Sequence, residues 1–168
     1  MMLEIALESD GEWDSRSSWE QLVRKAAEAA VAESAYPELA KLERPVEISV
    51  TLTGDEQVRA LNAQWRGKDK ATNVLSFPMA DERDLSDANV AERELLLGDI
   101  VLARGVCEAE AADKGVSVED HARHLLVHGT LHLLGYDHQH DNQAADMEAR
   151  EIRALARLGI RNPYEVPV

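Results

Sequence analysis

Residues 117 to 138 read S-V-E-D-H-A-R-H-L-L-V-H-G-T-L-H-L-L-G-Y-D-H, and their spacing predicts both a helix and a site. Ser117 followed by Asp120 has the form of a capping box, so a helix is expected to start near Val118. Leu125, Leu126, Leu131, Leu133 and Leu134 spread apolar surface round much of its circumference, which marks a helix buried at the centre of the fold. His128 and His132 lie four residues apart, on one helical face, separated by about 6 Å of axial rise. Gly135 offers the backbone a left-handed exit, and a chain reversing there can bring His138 to the same point. Three imidazoles with one open position is the ligand pattern of a catalytic zinc, since a structural zinc closes its fourth position with protein. His140 is the alternative third ligand. His121 and His124 fall roughly on the His128 face and are candidates to support the ligands.

Working outward, a last helix is expected from about Asn142 to Leu158, capped by Asp141 and followed by Gly159. Upstream, Leu96 to Leu102 is a nearly continuous apolar strand that suggests burial on both faces, followed by a helix from about Ala103 to Asp113. Residues 3 to 8 and 46 to 53 alternate as half-buried strands, and Ser17 to about Ser34 reads as an amphipathic helix. Thr53 or Asp55 can cap the next helix, whose Val58, Leu61 and Trp65 share one apolar face and whose end is marked by Gly67. Trp65 therefore reads as core, with a base-stacking surface as the alternative. Val74 to Phe77 is a short strand stopped by Pro78, and Met79 to about Glu94 an acidic exposed loop. The order predicts an α+β fold, a single domain over residues 1–168 with a small, mixed, mainly four-stranded sheet and the histidine helix against one face.

With 18 basic and 32 acidic side chains the net charge is −14, which argues against broad electrostatic binding of nucleic acid. The charge is uneven, however: Arg66, Lys68 and Lys70 cluster, so a local basic wall can hold phosphate on an acidic body. The single cysteine, Cys107, permits no internal disulfide and reads as a buried thiol. The first residues lack the basic start and long apolar run of a signal peptide, and no apolar stretch reaches the eighteen or so residues of a membrane span. A soluble, cytoplasmic protein is expected.

Three strings carry a resemblance. Residues 128–138 (H-G-T-L-H-L-L-G-Y-D-H), 61–78 (L-N-A-Q-W-R-G-K-D-K-A-T-N-V-L-S-F-P) and 97–102 (L-G-D-I-V-L) resemble, in order, three blocks of the bacterial YbeY family of metal-dependent endoribonucleases. The resemblance implies one zinc ion held by His128, His132 and His138. It also implies Arg66 as the substrate-positioning arginine, acting with His128 at the catalytic centre on a ribosomal RNA precursor. Its implied role is small-subunit 3′-end maturation and ribosome quality control, with a small-subunit ribosomal protein and a ribosome-assembly GTPase as partners.

The residues themselves weigh on the chemistry. A zinc protease of the H-E-x-x-H type needs a glutamate after its first histidine as general base, and here Gly129 stands in that place. Zinc lowers the pKa of its bound water to about 7, and Arg66 suits bidentate phosphate contact; without the resemblance Arg66 reads equally as a cap on the preceding helix. Asp137 either orients a ligand imidazole or caps the turn, and Asp99 beside Gly98 serves either chemistry or backbone geometry. Two other functions stay open: a ribosome-assembly binding factor with a structural metal, and a metal-dependent peptide or ester hydrolase.

Overall fold

In a computed structural model, the described residues are 3–10, 13, 19–41, 45–86, 94–137 and 139–165. Four strands, β1 (Glu4–Ser9), β2 (Val46–Thr53), β3 (Val74–Pro78) and β4 (Leu95–Ala103), form one sheet in the order β1-β2-β4-β3. β1, β2 and β4 are parallel and β3 runs antiparallel at the edge. The helices are α1 (Trp19–Ala32), α2 (Asp55–Arg66), α3 (Glu82–Ser86), α4 (Arg104–Lys114), α5 (Val118–Leu133) and α6 (Asp141–Arg157). The expected α+β class and mixed four-stranded sheet are therefore present. Among the described residues no helix is long and apolar enough to cross a membrane.

The alternation of β2 places Val46, Ile48, Val50 and Leu52 on one buried face. Together with Leu97, Ile100 and Leu102 of β4 they meet α1, α5 and α6 in the main core. On the opposite face Leu75, Val101 and Ala103 join Val58 of α2 in a second, smaller cluster. β4 is thus buried on both faces, as its apolar run suggests, although Leu96 is exposed. α5 is the central helix, packed on α1, α4, α6, β3 and β4. Ser117 caps it as expected, its Oγ accepting from Asp120 N at 3.1 Å.

Two glycines set the distance between α5 and the sheet. A β-bulge shifts the β2–β4 register after Glu47 and leaves Gly98 at φ +143°, where a Cβ would lie 2.3 Å from the Phe77 carbonyl oxygen and 2.8 Å from Leu133. Only glycine fits that backbone and that gap. Gly129 faces the sheet, where a Cβ would stand 3.1 Å from both Ile100 and Ser76 Oγ. The position that a zinc protease fills with glutamate is therefore a helix-to-sheet contact with no room for a long side chain.

Several local expectations are corrected. α2 is capped by Gly54, with no side-chain bond. Thr53 Oγ1 instead donates to Asp10 at 2.7 Å, and Asp55 Oδ1 accepts from Val106 N at the start of α4. Asp141 is the first residue of α6, whose N-cap is His140. The acidic segment after Met79 contains α3, because Asp81 and Asp84 accept from each other's backbone N–H at 2.8 and 3.0 Å and Leu85 is buried. Ser17, the expected start of α1, and the remainder of the acidic loop, residues 87–93, lie outside the described residues.

Candidate metal and phosphodiester site

α5 ends in a Schellman motif: Gly135 N bonds His132 O at 3.0 Å and Tyr136 N bonds Leu131 O at 3.1 Å, with Gly135 at φ +95°. The last turn of this helix and the chain beyond it form one wall of a cleft of about 690 Å³; residues of the 66–78 segment form the other. His128 and His132 project into it, and their Nε2 atoms stand 3.0 Å apart.

The other nitrogen of each ring decides what those Nε2 atoms are. His128 Nδ1 bonds a carboxylate oxygen of Glu151, a fully buried residue of α6. His132 Nδ1 bonds the Tyr136 carbonyl at 2.9 Å. A carbonyl accepts only, and the Glu151 carboxyl is ionised well into acid. Burial alone would raise it, but the neighbouring His124 and His128 and the Tyr164 hydroxyl hold it down to about 2. Both Nδ1 atoms therefore donate, and in the neutral rings both Nε2 atoms present lone pairs to one point. Two lone pairs so close repel unless a cation lies between them. Two Zn–N bonds of 2.0–2.1 Å at a tetrahedral angle put the nitrogens about 3.3 Å apart, near the separation found. The donor set thus fits a divalent metal, and the glutamate–histidine pair is the kind of support that orients metal-bound imidazoles.

Around this pair the expected residues fall unevenly. His138 lies outside the described residues. Among the described residues no group of three or more His, Cys, Asp or Glu side chains is placed to hold a metal. His140 is exposed and does not line the cleft. His124 stands 3.7 Å from Glu151 Oε2, behind the His128–His132 pair, and its Nδ1 is buried without a partner. His121 bonds Glu110 at 2.7 Å, and the same carboxylate accepts from Asn73 of the cleft wall at 3.0 Å. Burial lowers the His121 pKa in spite of that carboxylate. Asp137 lines the cleft, and the Nδ1 atoms of His128 and His132 are held by Glu151 and the Tyr136 carbonyl. Tyr136 is fixed in turn, its hydroxyl accepting from Ala35 N at 2.8 Å and its ring lying 4.8 Å from the Arg150 guanidinium.

On the opposite wall, Arg66 does not cap α2, whose end is closed by Gly67 N on Asn62 O. Its Nη2 donates to Ser76 O at 2.8 Å and its guanidinium lies 5.6 Å from the Phe77 ring centre. Arg66 and Lys68 line the cleft, whereas Lys70 does not. Buried Asn62 shapes this loop by donating to Lys70 O at 2.9 Å, and Arg59 binds Asp69 at 2.8 Å. Ser76 is buried, lines the same cleft, and its Oγ has no hydrogen-bond partner. Cys107 is buried far from reactivity, its thiol pushed up to about 12 by burial. Trp65 contradicts its reading as core, being 65% exposed.

Comparison with known proteins bears on the family of the whole chain. The profile of the family described as endoribonuclease YbeY matches residues 6–159. A protein of Rhizorhabdus wittichii named endoribonuclease YbeY is 49% identical over 167 residues, 98% of each chain. One of the same name from Zymomonas mobilis is 46% identical over 164 residues, 97% of this chain and 93% of that one. A Thermotoga maritima protein solved in solution shares the fold, with a TM-score of 0.54 at 22% identity over 96% of this chain and 99% of that one. The chain belongs to the endoribonuclease YbeY family.

Proposed function

We propose that residues 1–168 act as one metal-dependent endoribonuclease domain that cuts single-stranded RNA, in the cytoplasm, on ribosomal RNA precursors at the small-subunit 3′ end. The quality-control role and partners implied by the resemblance, a small-subunit ribosomal protein and a ribosome-assembly GTPase, belong to the same reading. The observation that carries it is the convergence of two histidine Nε2 atoms, each oriented through its Nδ1, opposite a wall holding Arg66 and Lys68.

His128 and His132, with His138 as the third ligand, would hold one zinc ion. Bound there, zinc supplies a Lewis acid for a phosphate oxygen and lowers the pKa of a water to about 7. Arg66 is already anchored through Nη2, so its guanidinium can meet phosphate without first losing its own freedom of motion. Lys68 adds a second positive charge on the same side. The buried Glu151 keeps His128 in the tautomer that leaves Nε2 unprotonated. Gly129 puts no carboxylate at the position that follows His128, so proton removal does not use the glutamate of the H-E-x-x-H zinc proteases.

The test is cleavage of a single-stranded RNA by purified protein, with and without chelator, beside His128→Ala. Cleavage lost in both cases supports the proposal; cleavage that survives both overturns it. End-group analysis of the product separates the nucleophiles, since a 5′-phosphate indicates water and a cyclic phosphate indicates the ribose hydroxyl.

A further inference from the structure

The apolar stripe of α2 runs past the edge of the core that supports it. Val58 is fully buried, Leu61 is half-buried against the small cluster on that face, and Trp65, one turn further, is 65% exposed. The other two tryptophans behave differently: Trp13 and Trp19 are buried and meet edge to face at 4.9 Å. The chain therefore has core positions for indoles, and Trp65 is not in one.

What surrounds it in the chain is cationic. α2 ends at Arg66, Gly67 turns the backbone with φ +67°, and Lys68 follows; Arg66 and Lys68 both line the cleft beside the histidines. The acid in this loop, Asp69, is paired with Arg59. An exposed indole thus adjoins, along the chain, a local excess of positive charge on a body whose net charge is −14. Surfaces that bind unpaired nucleic acid combine these two features: cations that follow the backbone and an aromatic ring that stacks on a base. A protein partner would have to satisfy the same two cations with carboxylates. The acidic body disfavours phosphate and an acidic peptide alike, and only the nucleic acid brings a flat π-face of its own.

We propose that Trp65 is a stacking platform for an unpaired base of single-stranded RNA whose adjoining phosphate lies against Arg66 and Lys68. It forms an outer subsite at the rim of the cleft. The proposal rests on the endoribonuclease reading and adds to it where the strand enters. Stacking requires an unpaired base, so the platform selects single strands over duplex, whose bases are already covered by their neighbours.

The experiment measures binding of a labelled single-stranded oligoribonucleotide, and of a duplex of the same length, to chelator-treated full-length protein so that cleavage does not interfere. Trp65→Leu is expected to weaken single-strand binding roughly 5- to 100-fold, the range for loss of one base–aromatic stack. Trp65→Tyr should retain most of the affinity, and neither change should move the thermal midpoint much, because the indole contributes little to the core. Tryptophan emission of the parent should be quenched by single-stranded RNA and that of Trp65→Leu should not, the two remaining indoles being buried. If the parent binds and cleaves while Trp65→Leu binds equally well, or if affinity for duplex is as high and falls in parallel, the platform is wrong. Tighter retention of an acidic peptide than of RNA would also overturn it. A parent that neither binds nor cleaves single-stranded RNA refutes the endoribonuclease reading itself, and the platform with it.

Discussion

Replacing Glu151 by glutamine isolates the contribution of a residue that never reaches the cleft. Its carboxylate is fully buried and accepts from His128 Nδ1 and the Tyr164 hydroxyl, with His124 Nε2 3.7 Å away. Glutamine keeps the volume but has one acceptor oxygen and one NH2 group. Whichever way it turns, a donor faces either His128 Nδ1–H or the Tyr164 O–H. The His128 ring then either loses its partner or keeps a neutral oxygen in place of a carboxylate, and mutation of such a support lowers metal affinity by about 10- to 100-fold, or roughly 1.4–2.8 kcal/mol. At saturating metal that difference appears as folding stability. In a chain of 168 residues each kcal/mol moves the midpoint by roughly 2–4 °C, so the metal-loaded variant should melt roughly 3–11 °C below the metal-loaded parent. The metal-free proteins should differ little, because removing a buried charge offsets the lost bonds. Competition for zinc against a chelator gives the affinity, and thermal melts with and without metal give the stabilities. A variant that holds zinc as tightly as the parent, or that is destabilised equally with and without it, would show that Glu151 is only a packing residue.

Three further outcomes follow from the geometry. Arg66→Ala should lower RNA cleavage by roughly 100-fold, the scale of losing one pre-placed phosphate donor, while metal content and thermal midpoint stay at parent values. Arg66→Lys should recover little, since an ammonium cannot hold the Ser76 carbonyl and still present a fork, and parent-like cleavage by the alanine variant would remove Arg66 from the site. Ser76→Ala should leave stability unchanged or slightly raised, because the hydroxyl it deletes is buried without a partner, yet slow cleavage about tenfold or more if that hydroxyl bonds substrate phosphate; unchanged kinetics would assign it to packing against Gly129. Glu33 joins α1 to α6 through Arg157 at 2.6 Å and Arg153 at 2.9 Å, and the hydrogen bond from Arg157 first, then that from Arg153, holds its carboxyl below the usual range. Its charged form is the one the fold favours, so the contribution is present above the unfolded pKa of about 4.3 and disappears as pH falls through the folded value. Glu33→Gln should cost about 1 kcal/mol or less at neutral pH, both arginines being half exposed, and parent and variant melts should converge in acid; an equal gap at both pH values would contradict the ion-pair account.

The parts of this fold that the sequence makes legible are those set by period and local backbone chemistry. The histidine helix, its serine cap and its glycine exit follow from spacings of three and four residues that nothing distant can alter. Glu151 does not stand out in the sequence, because a charged residue on an amphipathic helix normally faces water. The signal was nevertheless available: Met147 and Leu155, four residues to either side, are buried, so the helical period itself places a carboxylate on the inner face. What the sequence cannot show is the partner, His128, on another helix. Trp65 failed for the converse reason. A stripe of Val58, Leu61 and Trp65 records which face is apolar but not where the neighbouring sheet stops. The cap of α2 moved from Thr53 or Asp55 to Gly54 because both side chains are drawn to tertiary partners, Asp10 and the start of α4.

The acidic composition, at first sight awkward for a protein that handles RNA, constrains how the proposed activity has to work. Affinity for a polyanion normally grows with the number of phosphates a surface neutralises, and a chain of net charge −14 cannot gain it that way. Binding has to concentrate where Arg66 and Lys68 line the cleft and where the His128 and His132 Nε2 atoms converge. Away from that point the body repels phosphate, and a duplex, with a second phosphate line held rigidly at a fixed distance, brings more charge against it than a single strand that can bend into the cleft. Selectivity for unpaired RNA then arises from repulsion as well as attraction, which is how discrimination is achieved when attractive contacts are few. The acidity of the body and the narrow cationic wall are two parts of the same physical solution.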